Sequence, residues 1–219
     1  LQDFFIYGQT IHDENLQRLS KQNQTNMKSL DINMFDTSSS LREIIPLFSL
    51  TELTNLQTLL CGGNNKEAEL SLLLYENLQY VELFGAEWTN YEGKLDERIT
   101  ALKHVQYLYI GNVTLSHEIR EILYDFISDN KTIQELVLGN LDCKEHGHHD
   151  DCTGNFDLSI KHSRLEKLVL WWLPPLNLTI TSQSLVDVEL WSINLGESSL
   201  LLSRDMFNIK RVDLSRIKI

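Results

Sequence analysis

Apolar residues recur along this chain in a six-residue pattern: apolar, two variable, apolar, one variable, apolar. The copies are Leu1-Phe4-Ile6, Met27-Leu30-Ile32, Leu56-Leu59-Cys61, Leu78-Val81-Leu83, Val105-Leu108-Ile110, Ile133-Leu136-Leu138, Leu165-Leu168-Leu170, Leu185-Val188-Leu190 and Ile209-Val212-Leu214. We number each copy from its first apolar residue. Positions 4 and 6 then share one face of a short strand, and positions 3, 5 and 7 share the other. Successive copies start 26, 29, 22, 27, 28, 32, 20 and 24 residues apart. One copy has nothing to bury its apolar face against, whereas stacked copies build a continuous core. The pattern predicts an α/β solenoid of about nine repeats over residues 1–219, read as a single domain. It would be curved, with a parallel inner sheet and an irregular helical or extended outer side. Unrelated βα units in a doubly wound sheet would also alternate strands with helices. Intervals this short leave little room for full crossover helices, and no phosphate-binding glycine loop follows any strand. Leu59-Leu60-Cys61-Gly62-Gly63-Asn64-Asn65 comes nearest and lacks both the G-x-G-x-x-G spacing and a Lys-Ser/Thr pair.

The segments between copies differ. From Leu115 to Ile127 the apolar residues Ile119, Ile122, Leu123, Phe126 and Ile127 recur at helical spacing, and Ser116 is placed to cap the helix. Residues Asp96 to Leu102 and Leu41 to Leu50 read as shorter helices. Pro174-Pro175 excludes a helix at that point, and Leu195 to Leu202 reads as extended or 3₁₀.

Copies such as Ile133-Gln134-Glu135-Leu136-Val137-Leu138-Gly139-Asn140-Leu141 resemble the leucine-rich-repeat family, over essentially the whole chain. The helix-then-strand unit from Ser116 to Leu138 resembles the intracellular repeats of ribonuclease inhibitor and of NOD-like receptors. The last copies resemble those of invertebrate NACHT-bearing, immune-receptor-like proteins. The resemblance implies a non-catalytic recognition module, the sensing or autoinhibitory arm of an NLR-like innate immune receptor, binding through its concave sheet face. Alternatives are an extracellular Toll-like or secreted ectodomain and the substrate-binding arm of a ubiquitin-ligase adaptor. The sequence departs from the family at position 9, where the usual Asn is replaced by Ala86, Val113, Leu141, Leu173, Ile193 and Ile217, and only Asn64 keeps it. The turn after each strand must then be closed by backbone pairing or by water. Both ends fall in a repeat strand, so the chain reads as an uncapped piece of a longer protein.

Composition narrows the function. The formal charge is −12, which disfavours binding to nucleic-acid phosphates or to anionic membrane. No apolar run is long enough to span a bilayer. The expected partner is a protein or peptide ligand, or other domains of the parent protein, without direct membrane contact. No cofactor is expected. Three cysteines cannot build a disulfide scaffold and favour a cytoplasmic setting. The sequons at Asn23, Asn112, Asn130 and Asn177 point the other way, towards glycosylation outside the cell.

Two candidate sites follow. The outward strand positions carry Tyr80, Glu82, Phe84, Tyr107, Tyr109, Glu135, Trp171, Asp187, Glu189 and Trp191. Aromatics mixed with charge have the composition of an interface core, although Trp171 and Trp172 could merely cover the thin repeat around Pro174-Pro175. The acidic members suggest a basic or polar partner, and Arg211 and Arg216 reverse the sign near the C-terminal end. The second site is the run Cys143 to Cys152, where Cys143, His146, His149 and Cys152 are all possible zinc-ligand types. A solvated loop, a Cys143–Cys152 disulfide and a metal site all remain open there. Neither a G-x-S-x-G elbow nor an H-E-x-x-H pair occurs, so no catalytic residues are expected.

Overall fold

The computed structural model describes residues 3–7, 24–34, 53–63, 77–85, 87–88, 101–143, 156–161, 164–173, 176–193, 201–202 and 209–216. All nine copies of the pattern coincide with strands: β1 (Asp3–Tyr7), β2 (Ser29–Met34), β3 (Thr58–Gly63), β4 (Tyr80–Phe84), β6 (Tyr107–Leu115), β7 (Glu135–Cys143), β9 (Lys167–Trp171), β11 (Asp187–Trp191) and β13 (Arg211–Ser215). The chain divides into two compact units, Leu1–Glu87 with Tyr91–Val105, and Trp88–Asn90 with Gln106–Ile219. The two-residue strand β5 (Glu87–Trp88) straddles the division.

In the first unit β1, β2, β3 and β4 pair in that order, all parallel. Position 3 faces position 3 throughout, as Asp3↔Ser29, Ser29↔Thr58 and Thr58↔Tyr80. Leu30, Ile32, Leu59, Cys61, Val81 and Leu83 point into the core and are buried. A side-chain ladder runs beside the strands. Asn55 Nδ2 donates to the Thr25 carbonyl at 2.8 Å, and Asn77 Nδ2 donates to the Thr54 carbonyl at 2.8 Å.

The second unit has two sheets. The larger runs β6-β7-β9-β11-β13, again parallel and at zero offset, from Tyr107↔Glu135 to Asp187↔Arg211. The smaller is also parallel, in the order β12 (Leu201–Leu202), β10 (Leu176–Thr181), β8 (Phe156–Lys161). Leu158, Ile160, Leu178 and Ile180 of the smaller sheet and Leu168, Leu170, Val188 and Leu190 of the larger are buried and form this unit's core. The sequence reading leaves β8 and β10 unassigned. The short return after Pro174-Pro175 is spanned by strand, which rises about twice as far per residue as helix. Of Leu195 to Leu202, only Leu201 and Leu202 are among the described residues, and they form β12.

The helix α1 (His117–Asp129) is capped by Ser116, whose Oγ accepts from the Ile119 N–H at 3.4 Å. It packs against β8. Its buried stripe is Ile119, Arg120, Leu123, Tyr124 and Ile127, while Ile122 and Phe126, expected inside, are half-buried. Arg120 and Tyr124, not expected inside, are buried. Asn130 ends the helix and accepts on Oδ1 from the Thr132 and Ile133 N–H groups at 2.8 and 3.1 Å, starting β7. The expected helices at Asp96–Leu102 and Leu41–Leu50 fall outside the described residues, apart from Ala101 and Leu102, which lie in a non-helical turn.

The turn without its asparagine has a specific solution. In the six copies from β4 onward, position 8 is left-handed: Gly85 (φ 74°), Asn112 (54°), Asn140 (48°), Trp172 (49°), Ser192 (50°) and Arg216 (56°). The left-handed residue breaks the alternation, so position 9 turns inward. Val113, Leu141, Leu173 and Ile193 are accordingly buried. The freed N–H groups are satisfied by backbone: Trp172 N–H donates to the Trp191 carbonyl at 3.0 Å and Ser192 N–H to the Ser215 carbonyl at 2.8 Å. Asn140 Nδ2 adds a bond to Asn112 Oδ1 at 2.8 Å. Position 9 contributes apolar core instead of a polar plug.

Candidate functional site

Strand alternation sets the outward face, and zero offset between copies arranges it in rows. In the second unit position 3 reads Tyr107, Glu135, Lys167, Asp187 and Arg211 across neighbouring strands. Position 5 reads Tyr109, Val137, Val169, Glu189 and Asp213, and position 7 reads Gly111, Gly139, Trp171, Trp191 and Ser215.

The position-7 row is built on glycine. The Trp171 indole lies against Gly139, so close that a Cβ there would fall 1.8 Å from Trp171 Cε2. In the first unit the Phe84 ring lies over Gly62 in the same way, at 2.3 Å from a Cβ built there. Tyr109 leans over Gly111 of its own strand. Each glycine lets an aromatic ring lie on bare backbone, which half-buries the ring and fixes its orientation. Trp172 is 57% exposed and meets Trp171 edge-on, with centroids 5.8 Å apart and planes at 62°. Trp191 is the register partner of Trp171 and is 44% exposed. Three indoles thus gather at the C-terminal ends of β9 and β11, continuous with Val169 and the 9%-exposed Val137.

The charged row is not uniformly acidic. Glu135, Lys167, Asp187 and Arg211 alternate in sign on neighbouring strands. Arg211 Nη1 is 3.0 Å from Glu189 Oε1 and 3.6 Å from Asp187 Oδ2, so it serves both carboxylates. The sign reversal expected at Arg211 is therefore present on this face, and Lys167, which the sequence reading did not single out, adds a second cation to it. Asp31, expected outward, is buried between its register neighbours Phe5 and Leu60.

All ten expected recognition residues are outward, but the two units hold different ones. Tyr80, Glu82 and Phe84 lie on β4 of the first unit, where the Tyr80 hydroxyl donates to Glu82 Oε1. Tyr107, Tyr109, Glu135, Trp171, Asp187, Glu189 and Trp191 lie on the larger sheet of the second. Sequence reasoning missed Gly139, Val137, Val169 and Lys167 as members. The glycines at position 7 were the available signal, since a strand glycine marks a close approach.

Of the possible metal ligands, only the Cys143 backbone, at the end of β7, is described; His146, His149 and Cys152 lie outside the described residues. No metal-holding cluster occurs among the described residues. Of the sequons, Asn23 lies outside the described residues, and Asn112 is exposed. Asn130 is half-buried and holds the turn into β7. Asn177 is a β10 strand residue whose Nδ2 donates to Asp157 Oδ1 at 2.5 Å.

Away from this face, burial pushes the Tyr124 phenol up to about 12, with the Arg120 cation pulling it down. The Tyr124 hydroxyl makes no hydrogen bond among the described residues. No helix is long and apolar enough to cross a membrane among the described residues. No family model, curated protein or solved structure matches the chain.

Proposed function

We propose that the chain is a non-catalytic recognition module of leucine-rich-repeat type, and that it binds a protein or peptide through the outward face of the larger sheet. The observation that carries this reading is the indole cluster of Trp171, Trp172 and Trp191, continuous with Val137 and Val169 and edged by the alternating charges of position 3. Exposed indoles beside a charged border are among the groups that dominate binding energy at protein interfaces. Because the charges alternate, the partner is chosen by apolar shape and by paired polar contacts more than by net charge. Association should therefore depend only weakly on ionic strength.

In the setting the family resemblance implies, this face is the sensing or autoinhibitory surface of an NLR-like innate immune receptor, and the module works in the cytoplasm. Asn177 supports that compartment, because its amide is committed to Asp157 within the smaller sheet. A glycan on Asn112 of the natural protein, found by mass spectrometry, would place it outside the cell instead.

The binding test selects displayed peptides on the whole chain and compares their affinities for Trp172→Ala and Trp191→Ala variants. Either change should weaken binding by about tenfold or more, as truncating an interface hot spot does. Selected peptides that bind both variants at full strength would overturn the assignment of this face.

A further inference from the structure

The exposed part of the indole cluster is small. Trp172 and Trp191, at 57% and 44% exposure, together present about as much surface as one whole tryptophan side chain, roughly 150–250 Å². A stable contact between two folded proteins takes about 800 Å² from each. The patch is therefore sized for a short peptide segment. Its placement also costs strain, because Trp172 holds φ 49°, a left-handed conformation unfavourable for a bulky side chain. Residues kept in such conformations cluster where ligands are held.

The strands beneath the patch narrow the mode of peptide recognition. β7, β9 and β11 are each paired on both sides, so a peptide cannot join them as an added strand. An amphipathic helix needs an apolar groove along its anchors, whereas the rows beside the indoles carry Lys167, Asp187, Glu189 and Arg211. A phosphorylated or acidic motif needs uncommitted cations, and Arg211 is taken up by Glu189 and Asp187 at 3.0 and 3.6 Å. What remains is the polyproline II helix, which docks on aromatic side chains.

The chemistry of the patch matches that ligand. A polyproline II segment has no internal hydrogen bonds, and its prolines offer carbonyls but no N–H. An indole N–H is a donor only, and those of Trp172 and Trp191 have no acceptor within the chain among the described residues. A donor-only patch thus meets an acceptor-only peptide. Two residues advance such a helix by about 6 Å, and the Trp171 and Trp172 ring centres are 5.8 Å apart. The charges beside the indoles alternate in sign, which is complementary to an uncharged ligand. We propose that the indole patch receives a proline-rich segment of a partner protein in the polyproline II conformation. This rests on the reading of the larger sheet's outward face as a peptide-binding surface.

Titration of the isotope-labelled whole chain with a short oligoproline peptide, followed by nuclear magnetic resonance of the indole N–H signals, tests this. The Trp172 and Trp191 signals should move as peptide binds, and a glycine-serine peptide of equal length should move neither. Trp172→Asn removes the indole but leaves a residue that tolerates the left-handed backbone. Its melting should hold, while its affinity for oligoproline should fall by about tenfold or more. Affinity for the native chain should hardly change between low and high salt. Oligoproline that leaves both signals in place, or moves them no further than the glycine-serine peptide does, would overturn the proposal. The face itself stands or falls separately. Display-selected peptides that lose binding on Trp172→Ala but are not enriched in proline refute the polyproline reading alone. Peptides that bind Trp172→Ala and Trp191→Ala at full strength refute both.

Discussion

The contact between Gly139 and Trp171 makes a prediction whose sign is opposite to the ordinary expectation for glycine in a strand. Gly139 has no positive φ, so alanine fits its backbone, and replacing a strand glycine there would ordinarily stabilise by about 0.5–1 kcal/mol. The added Cβ, however, would fall 1.8 Å from Trp171 Cε2 and 2.0 Å from Nε1, inside any real contact distance. The indole must lift. A packed tryptophan buries about 150–250 Å². Trp171 is half-buried, so losing one ring face re-exposes about 60 Å², or roughly 1.5 kcal/mol at 25 cal/mol/Å². Gly139→Ala should therefore destabilise by about 0.5–1 kcal/mol once the backbone gain is subtracted. In a Trp171→Ala background the same substitution should stabilise by about 0.5–1 kcal/mol, giving a coupling near 1.5 kcal/mol. Urea denaturation of the four proteins in the cycle, followed by circular dichroism, measures both values, and tryptophan emission should shift to longer wavelength in Gly139→Ala alone. If Gly139→Ala stabilises the protein equally with and without the indole, the ring does not rest on this glycine, and the rigid aromatic platform fails with it.

Other substitutions probe the frame that holds this face. The Tyr124 hydroxyl is buried without a hydrogen bond, so Tyr124→Phe should be neutral or stabilising by about 1 kcal/mol in urea melts. Because the folded phenol is raised from 10.0 to about 12, the folded state binds its proton more tightly. Stability should hold below pH 10 and fall between pH 10 and 12, by roughly 2–3 kcal/mol, and Tyr124→Phe should remove that part of the alkaline loss. Ser192 sits at φ 50°, so Ser192→Gly should stabilise by up to about 1 kcal/mol and Ser192→Val destabilise by about 1–2 kcal/mol, both read by thermal melts. Asn55→Ala and Asn77→Ala each remove one bond to a backbone carbonyl of the preceding repeat, and each should lose about 1 kcal/mol in the same melts.

Legibility followed the strength of the period. The nine inner strands were visible because two core positions and a leading anchor recur at each, and burial leaves a substitution there nowhere to go. The outer strands β8 and β10 alternate just as cleanly, in Phe156-Asp157-Leu158-Ser159-Ile160-Lys161 and Leu176-Asn177-Leu178-Thr179-Ile180-Thr181, but lack the anchor that marks a copy. Their role depends on which sheet they join, which local pattern does not state. The left-handed position 8 was legible only in part. Gly85, Asn112 and Asn140 tolerate that conformation intrinsically, whereas Trp172, Ser192 and Arg216 do not favour it. At Trp172 and Ser192 it is enforced by tertiary structure: the following residue is pulled into the core and the residue's own N–H reaches the next strand's carbonyl. The asparagine ladder lies outside the six-residue pattern and away from position 9. Its signal was present just before position 1, in Thr25-Asn26-Met27, Thr54-Asn55-Leu56 and Asn77-Leu78.

The recognition face shows why composition misleads when position is ignored. A net charge of −12 suggests an acidic surface in search of cations. Placed on the sheet, two of the acidic side chains singled out by sequence, Asp187 and Glu189, already share Arg211, and Lys167 stands between Glu135 and Asp187. Exposed pairs of this kind contribute little to stability, about 0–1 kcal/mol, but they cancel the local field that would steer a charged partner. Beside them lies an apolar group: one indole held on glycine and two more at the strand ends. Copy number and position within the copy act as two coordinates, and a residue's role is fixed by its neighbours in both. Trp171 became a platform because the preceding strand supplies Gly139. Trp191 has Ser215 on the following strand and is left in solvent. The same residue type at the same position therefore supports the surface in one copy and is available to a partner in the next.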